Sequence, residues 1–201
     1  MKNKSNNQKE VRQINTAELR AIDNESGGVT IRGYASVYDE LSHDLGGFRE
    51  KIDKEAFRNV LASPELNCVC LLNHDQNIIF ARSSNGSLKL SSDKTGLISE
   101  WDMPDTTAAR DTAELVRSGI ISQMSFGFFV GKDSWEQRNK GEYIRTIQEV
   151  KKLVDVSLVS NPAYPQTSAA IRSLDDYIQA VTPPNNRENR AKLTLLKLGK
   201  K

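Results

Sequence analysis

The chain has 201 residues, 37% hydrophobic and 27% charged, with a net charge of +2. That length suits one domain with polar tails or inserts, and near-neutral charge carries no overall signature of a nucleic-acid or anionic-membrane partner. No apolar run approaches the ~20 residues of a bilayer span, and the polar N-terminus lacks the apolar region of a signal peptide, so the sequence reads as soluble and not secreted by the usual route.

Residues 1–13 are polar and rich in lysine and asparagine, which predicts a mobile tail ahead of a domain over residues 14–173. Residues 17–22 and 29–37, separated by the Gly27-Gly28 turn, read as an antiparallel pair of strands, and residues 48–52 as a short one. Asp53 is placed to cap a helix with Ala56, Phe57, Val60 and Leu61 at helical spacing, ended by Pro64. Residues 66–73 then read as a strand that runs into His74-Asp75, and residues 78–81, 87–90 and 96–101 continue as short strands. Cys68 and Cys70 are the only cysteines, two apart on a strand, where they share a face but are poorly placed to bridge; buried thiols in a reducing compartment follow.

Thr106 is a plausible N-cap for a helix carrying Ala109, Thr112, Ala113 and Val116, stopped at Ser118-Gly119. The helix delivers the chain into residues 120–130, which are almost uncharged and rich in aromatic and β-branched side chains, as in a buried strand. Alternation turns Met124, Phe126 and Phe128 one way and Ser125 and Gly127 the other, so Ser125 is a hydroxyl on a rigid strand beside a glycine that leaves room for a substrate. A hairpin near residues 139–141 leads to a long strand over residues 143–152 and on to residue 159. A short helix over residues 174–180 precedes Pro183-Pro184, and residues 187–201 form a basic tail. Many short strands, few helices and no βαβ rhythm predict an α+β fold built on a mainly antiparallel, barrel-like sheet.

Amide hydrolysis through a serine needs the hydroxyl, a base and a group that orients the base. His74, at the end of an apolar strand, is the natural base, since an unperturbed imidazole titrates near neutral pH. His43 lies in a polar loop with less support. Asp155 interrupts the apolar run over residues 153–159; a carboxylate there is either paired or turned to solvent. Asp75 adjoins His74, so its side chain is expected to diverge from the imidazole. Residue chemistry supplies one serine, one histidine and one acid without bringing them together.

The stretches Leu71-Leu-Asn-His-Asp75, Gly119-Ile-Ile-Ser-Gln-Met-Ser-Phe-Gly-Phe128 and Val154-Asp-Val-Ser-Leu-Val-Ser-Asn-Pro-Ala163 resemble successive motifs of the tailed-phage prohead maturation proteases, a family related to the herpesvirus assembly protease. Gly33-Tyr-Ala-Ser-Val-Tyr38, Glu50-Lys-Ile-Asp-Lys-Glu-Ala-Phe57 and Pro104-Asp-Thr106 extend the likeness over residues 17–172. Lys54-Glu55 stands where many relatives carry Pro-Gly.

The resemblance implies a serine endopeptidase with an assemblin-like barrel and no cofactor or metal, with Ser125 as nucleophile and His74 as base. The third member is a second histidine in the herpesvirus relatives; this chain has none after His74, and Asp155 occupies the matching strand. By the same analogy Asn161 and Ala163 are candidates for the oxyanion or substrate-binding loop. Implied substrates are the scaffold, or the scaffolding segment of the major capsid protein, and the protease itself, inside the assembling procapsid in the host cytoplasm. The basic tail then becomes an autocleavage or packaging element, and a homodimer or larger oligomer is implied by the dimer-dependent herpesvirus enzymes. Two other readings stand beside it: a catalytically inert barrel with a structural role in capsid assembly, and a metal-dependent hydrolase, which two histidines serve poorly.

Overall fold

A computed structural model describes residues 8–15, 18–25, 27–139, 141–160 and 168–182. In chain order its elements are β1 (Glu10–Asn15), β2 (Arg20–Asp23), β3 (Val29–Val37), β4 (Phe48–Ile52), α1 (Arg58–Leu61), β5 (Val69–Leu72), β6 (Asp75–Arg82), β7 (Leu88–Ser92), β8 (Gly96–Asp102), α2 (Thr107–Arg117), β9 (Gln123–Asn139), β10 (Glu142–Val159) and α3 (Ser168–Val181). The fold is α+β.

Two sheets face each other. One runs β2-β3-β8-β7 and is antiparallel throughout. The other runs β1-β9-β10-β5-β6, with β4 also on β10. Its spine is the β9–β10 hairpin, which turns at Gly141 with φ +88°, a left-handed conformation that glycine adopts without Cβ strain. β10 is long enough to hold two strands on one edge: its first part pairs with β4 and its last part with β5. Both pairings are parallel, a feature the run of short strands does not announce.

Between the sheets Ile31, Leu97 and Trp101 meet Met124, Phe126 and Phe128, and Phe57 packs edge-on against Phe126 with ring centroids 5.6 Å apart. A smaller cluster of Leu45, Phe48 and Tyr143 takes Ala170 and Leu174 of α3. Cys68 and Cys70 are free and buried, and burial pushes both thiols well above their ordinary range, away from the reactive thiolate.

Several sequence expectations change at their edges. Residues 10–13, expected at the end of a mobile tail, belong to β1, which is paired along β9 from Glu10 to Asn15. The helix expected from Asp53 begins only at Arg58, with Phe57 in the cap position. Residues 53–57 are claimed by β10 instead: Asp53 N–H donates to the Ile147 carbonyl, and the Ala56 carbonyl accepts from Val150 N–H. α2 forms as expected, with Thr106 Oγ1 accepting from Ala109 N–H and Ala109, Thr112, Ala113 and Val116 buried.

Candidate active site

Ser125 sits in the middle of the larger sheet, opposite Gln13 on β1 and Ser157 on β10. Its neighbours Met124 and Phe126 are wholly buried, so the strand cannot rotate to move the hydroxyl. Asp155 lies two residues before Ser157 on β10, beside Gly127 of β9. Both side chains are therefore fixed by rigid sheet, not by loops.

His74 comes from the tight turn between β5 and β6. Leu72 pairs with Asp75, which leaves Asn73 and His74 as the two central residues, with φ +51° and +59°. Two positive φ values are what the twist of a two-residue hairpin requires, and asparagine and histidine tolerate them better than most non-glycine residues. The turn is pinned to the end of β10: Asn73 N–H donates to the Leu158 carbonyl, and Asn73 Oδ1 accepts from Ser160 N–H. This carries the imidazole over β9 and β10.

The three side chains meet there. His74 Nε2 lies 2.7 Å from Ser125 Oγ, and His74 Nδ1 makes a short hydrogen bond to Asp155 Oδ1. Asp155 Oδ1 also accepts from Ser157 Oγ at 3.0 Å, and Oδ2 is paired with the Lys9 ammonium at 2.6 Å. Burial pushes the Asp155 carboxyl up, but hydrogen bonds from His74 and Lys9 outweigh it and hold the group below the usual carboxylate range. An ionised Asp155 can only accept, so it places a proton on Nδ1 and leaves Nε2 facing the hydroxyl. Such a chain can take a proton from Ser125 and stabilise the imidazolium that results.

Ser125 has no exposed surface, and its hydroxyl has a second partner, the Arg12 carbonyl of β1 at 2.8 Å. One hydroxyl proton cannot serve both acceptors fully, so Arg12 and His74 compete for it.

Of the other sequence candidates, His43 is exposed, and Asp75 is exposed with its carboxylate turned to Asn77. Asn161 and Ala163 lie outside the described residues. The room expected beside Gly127 is filled: a Cβ there would fall on Asp155 Oδ2 and Lys9 Cε. Lys9 and Ser157 were not singled out from the sequence. Ser157 could have been, since it shares the Asp155 face two positions on. Among the described residues, no three His, Cys, Asp or Glu side chains are gathered as a metal ion requires.

Residues 15–180 match the family described as caudovirus prohead serine protease. The chain is 28% identical over 145 residues to the prohead protease of Enterobacteria phage HK97, covering 71% of this chain and 60% of that protein. It is similar in fold to the bacteriophage T4 capsid assembly protease, with a TM-score of 0.53, 14% identity, and coverage of 78% of this chain and 100% of the other.

Proposed function

Because the chain belongs to the caudovirus prohead serine protease family, we propose that it is the serine endopeptidase of prohead maturation, acting on scaffold or on the scaffolding segment of the major capsid protein, and on itself, inside the procapsid in the host cytoplasm. One observation carries the assignment of roles: Ser125, His74 and Asp155, from three separate strands and turns, form a continuous hydrogen-bonded chain. Ser125 Oγ attacks the scissile carbonyl carbon while His74 Nε2 takes its proton. Asp155 keeps the ring oriented and stabilises its positive charge. His74 returns the proton to the leaving amine, giving an acyl-enzyme, and water then releases the new carboxylate.

The test is co-expression with the neighbouring capsid and scaffold proteins. Processing in the wild type, lost in both Ser125→Ala and His74→Ala, is the expected result. Processing that persists in Ser125→Ala would return the strand to a structural role.

A further inference from the structure

β1 does something an ordinary edge strand does not. It lies antiparallel along β9, and its register puts the Arg12 carbonyl on the Ser125 hydroxyl. All of the segment but Asn15 lies ahead of residues 15–180, which match the family. Main-chain pairing of this kind would hold any extended peptide; selectivity must come from the side chains that alternate along it.

Glu10 and Arg12, two apart, share one face of β1, and that face is buried against a charged pocket. The Arg12 guanidinium grips Glu50 in a two-pronged contact, Nε to Oε1 at 2.6 Å and Nη2 to Oε2 at 2.8 Å. Arg145 does the reverse for the acidic partner, donating from Nη1 and Nη2 to Glu10 at 2.8 and 3.1 Å. Arg145 is itself held by Glu50 at 3.0 Å and by Asp133 at 2.7 Å. Glu50 is 2% exposed and Arg145 1%. With β1 removed, the pocket keeps Glu50, Asp133 and Arg145, and Glu50 Oε1 loses its partner. Glu50 keeps Arg145 at 3.0 Å, and the oxygen left over, beside one already paired, suits the fork of a second guanidinium.

We propose that β1 is seated as a peptide substrate is, and that Glu50 and Arg145 are specificity-determining residues that select an extended segment with an acidic residue two positions ahead of a basic one, cut after the basic residue. This rests on the protease reading above. In the reaction Ser125 Oγ bonds to the carbonyl carbon of the basic residue, the following residue departs as an amine, and water returns the basic residue as a free carboxylate. In the resting arrangement the hydroxyl donates to the Arg12 carbonyl oxygen, a holding contact that leaves the bond intact.

The full chain carrying Ser125→Ala and Arg12→Ala, with its resident strand weakened, is titrated with a fluorescent peptide of residues 8–15 and read by anisotropy. Peptides with alanine at the Arg12 or Glu10 position should bind at least ~10-fold more weakly, since each takes one ion-pair partner from a buried charge. Adding Glu50→Gln to the protein, with a native far-UV circular dichroism spectrum as the folding control, should remove the preference for arginine but not that for glutamate. Equal binding of the three peptides, or binding of none, overturns the proposal. In the co-expression assay the new C-termini should end in arginine or lysine. Ser125-dependent processing after other residues overturns the specificity and leaves the protease standing; loss of that dependence removes the protease reading, while the binding preference is judged separately.

Discussion

At Asp155 a wholly buried carboxylate accepts from His74 and Ser157 and pairs with Lys9. Asp155→Asn keeps the shape but presents an amide, which can donate to Nδ1 and favour the tautomer that cannot accept from Ser125. Scaffold processing should slow by roughly 10³–10⁴-fold in protein that still folds to a native circular dichroism spectrum, and a loss under tenfold would sink the orienting role. Gly127 carries the opposite kind of demand. A methyl group there meets Asp155 and the Lys9 stem, and the bonds to His74 and Ser157 leave Asp155 little freedom to shift. Gly127→Ala should cost about 1–3 kcal/mol in urea unfolding and impair processing as well. Ser125 and Asp155 stood out in the sequence as polar residues within apolar stretches and His74 as the end of one, but it was the family resemblance that joined the three. Lys9 did not stand out: it comes from a polar run with no periodicity, and its partner is far along the chain.

Elements were legible where their own residues settle the backbone. α2 is the clearest case, since its cap, buried face and glycine stop are all local. Thr106→Ala removes the acceptor for Ala109 N–H and should lower stability by about 1 kcal/mol, visible as a lower urea midpoint at unchanged slope. The stretch from Asp53 shows the contrary situation. Its helical spacing is real, but the Ala56 carbonyl, which a helix would give to Val60, is taken by Val150 on a distant strand. The parallel seats of β4 and β5 on β10 were hidden for the same reason, because which strands share an edge is settled between segments and not within them.

Across the molecule, Asp155 and Glu50, two of the carboxylates buried among the described residues, make acid stability a readable property. Burial alone would raise Glu50, but Arg12 and Arg145 outweigh it and hold it below its ordinary range, as His74 and Lys9 do for Asp155. A carboxylate whose pKa is depressed by folding stabilises the native state above its unfolded pKa, and that contribution is lost as pH falls through the folded value. The melting temperature should therefore be nearly flat toward neutral pH and drop below about pH 4, where unfolded carboxylates begin to take up protons. In Glu50→Gln the drop should be shallower; an unchanged slope would mean the charged pocket contributes nothing to folding.

On the proposed reading, the burial of the Ser125 hydroxyl has a kinetic meaning. β1 and Ser125 belong to one chain, so the resident strand competes at an effective concentration on the order of millimolar however dilute the protein is. An outside peptide of similar affinity wins the seat only when its own concentration approaches that level. On the proposed reading, cleavage answers to crowding: substrates scattered in a cell are passed over, and the same substrates packed inside a shell cross the threshold together.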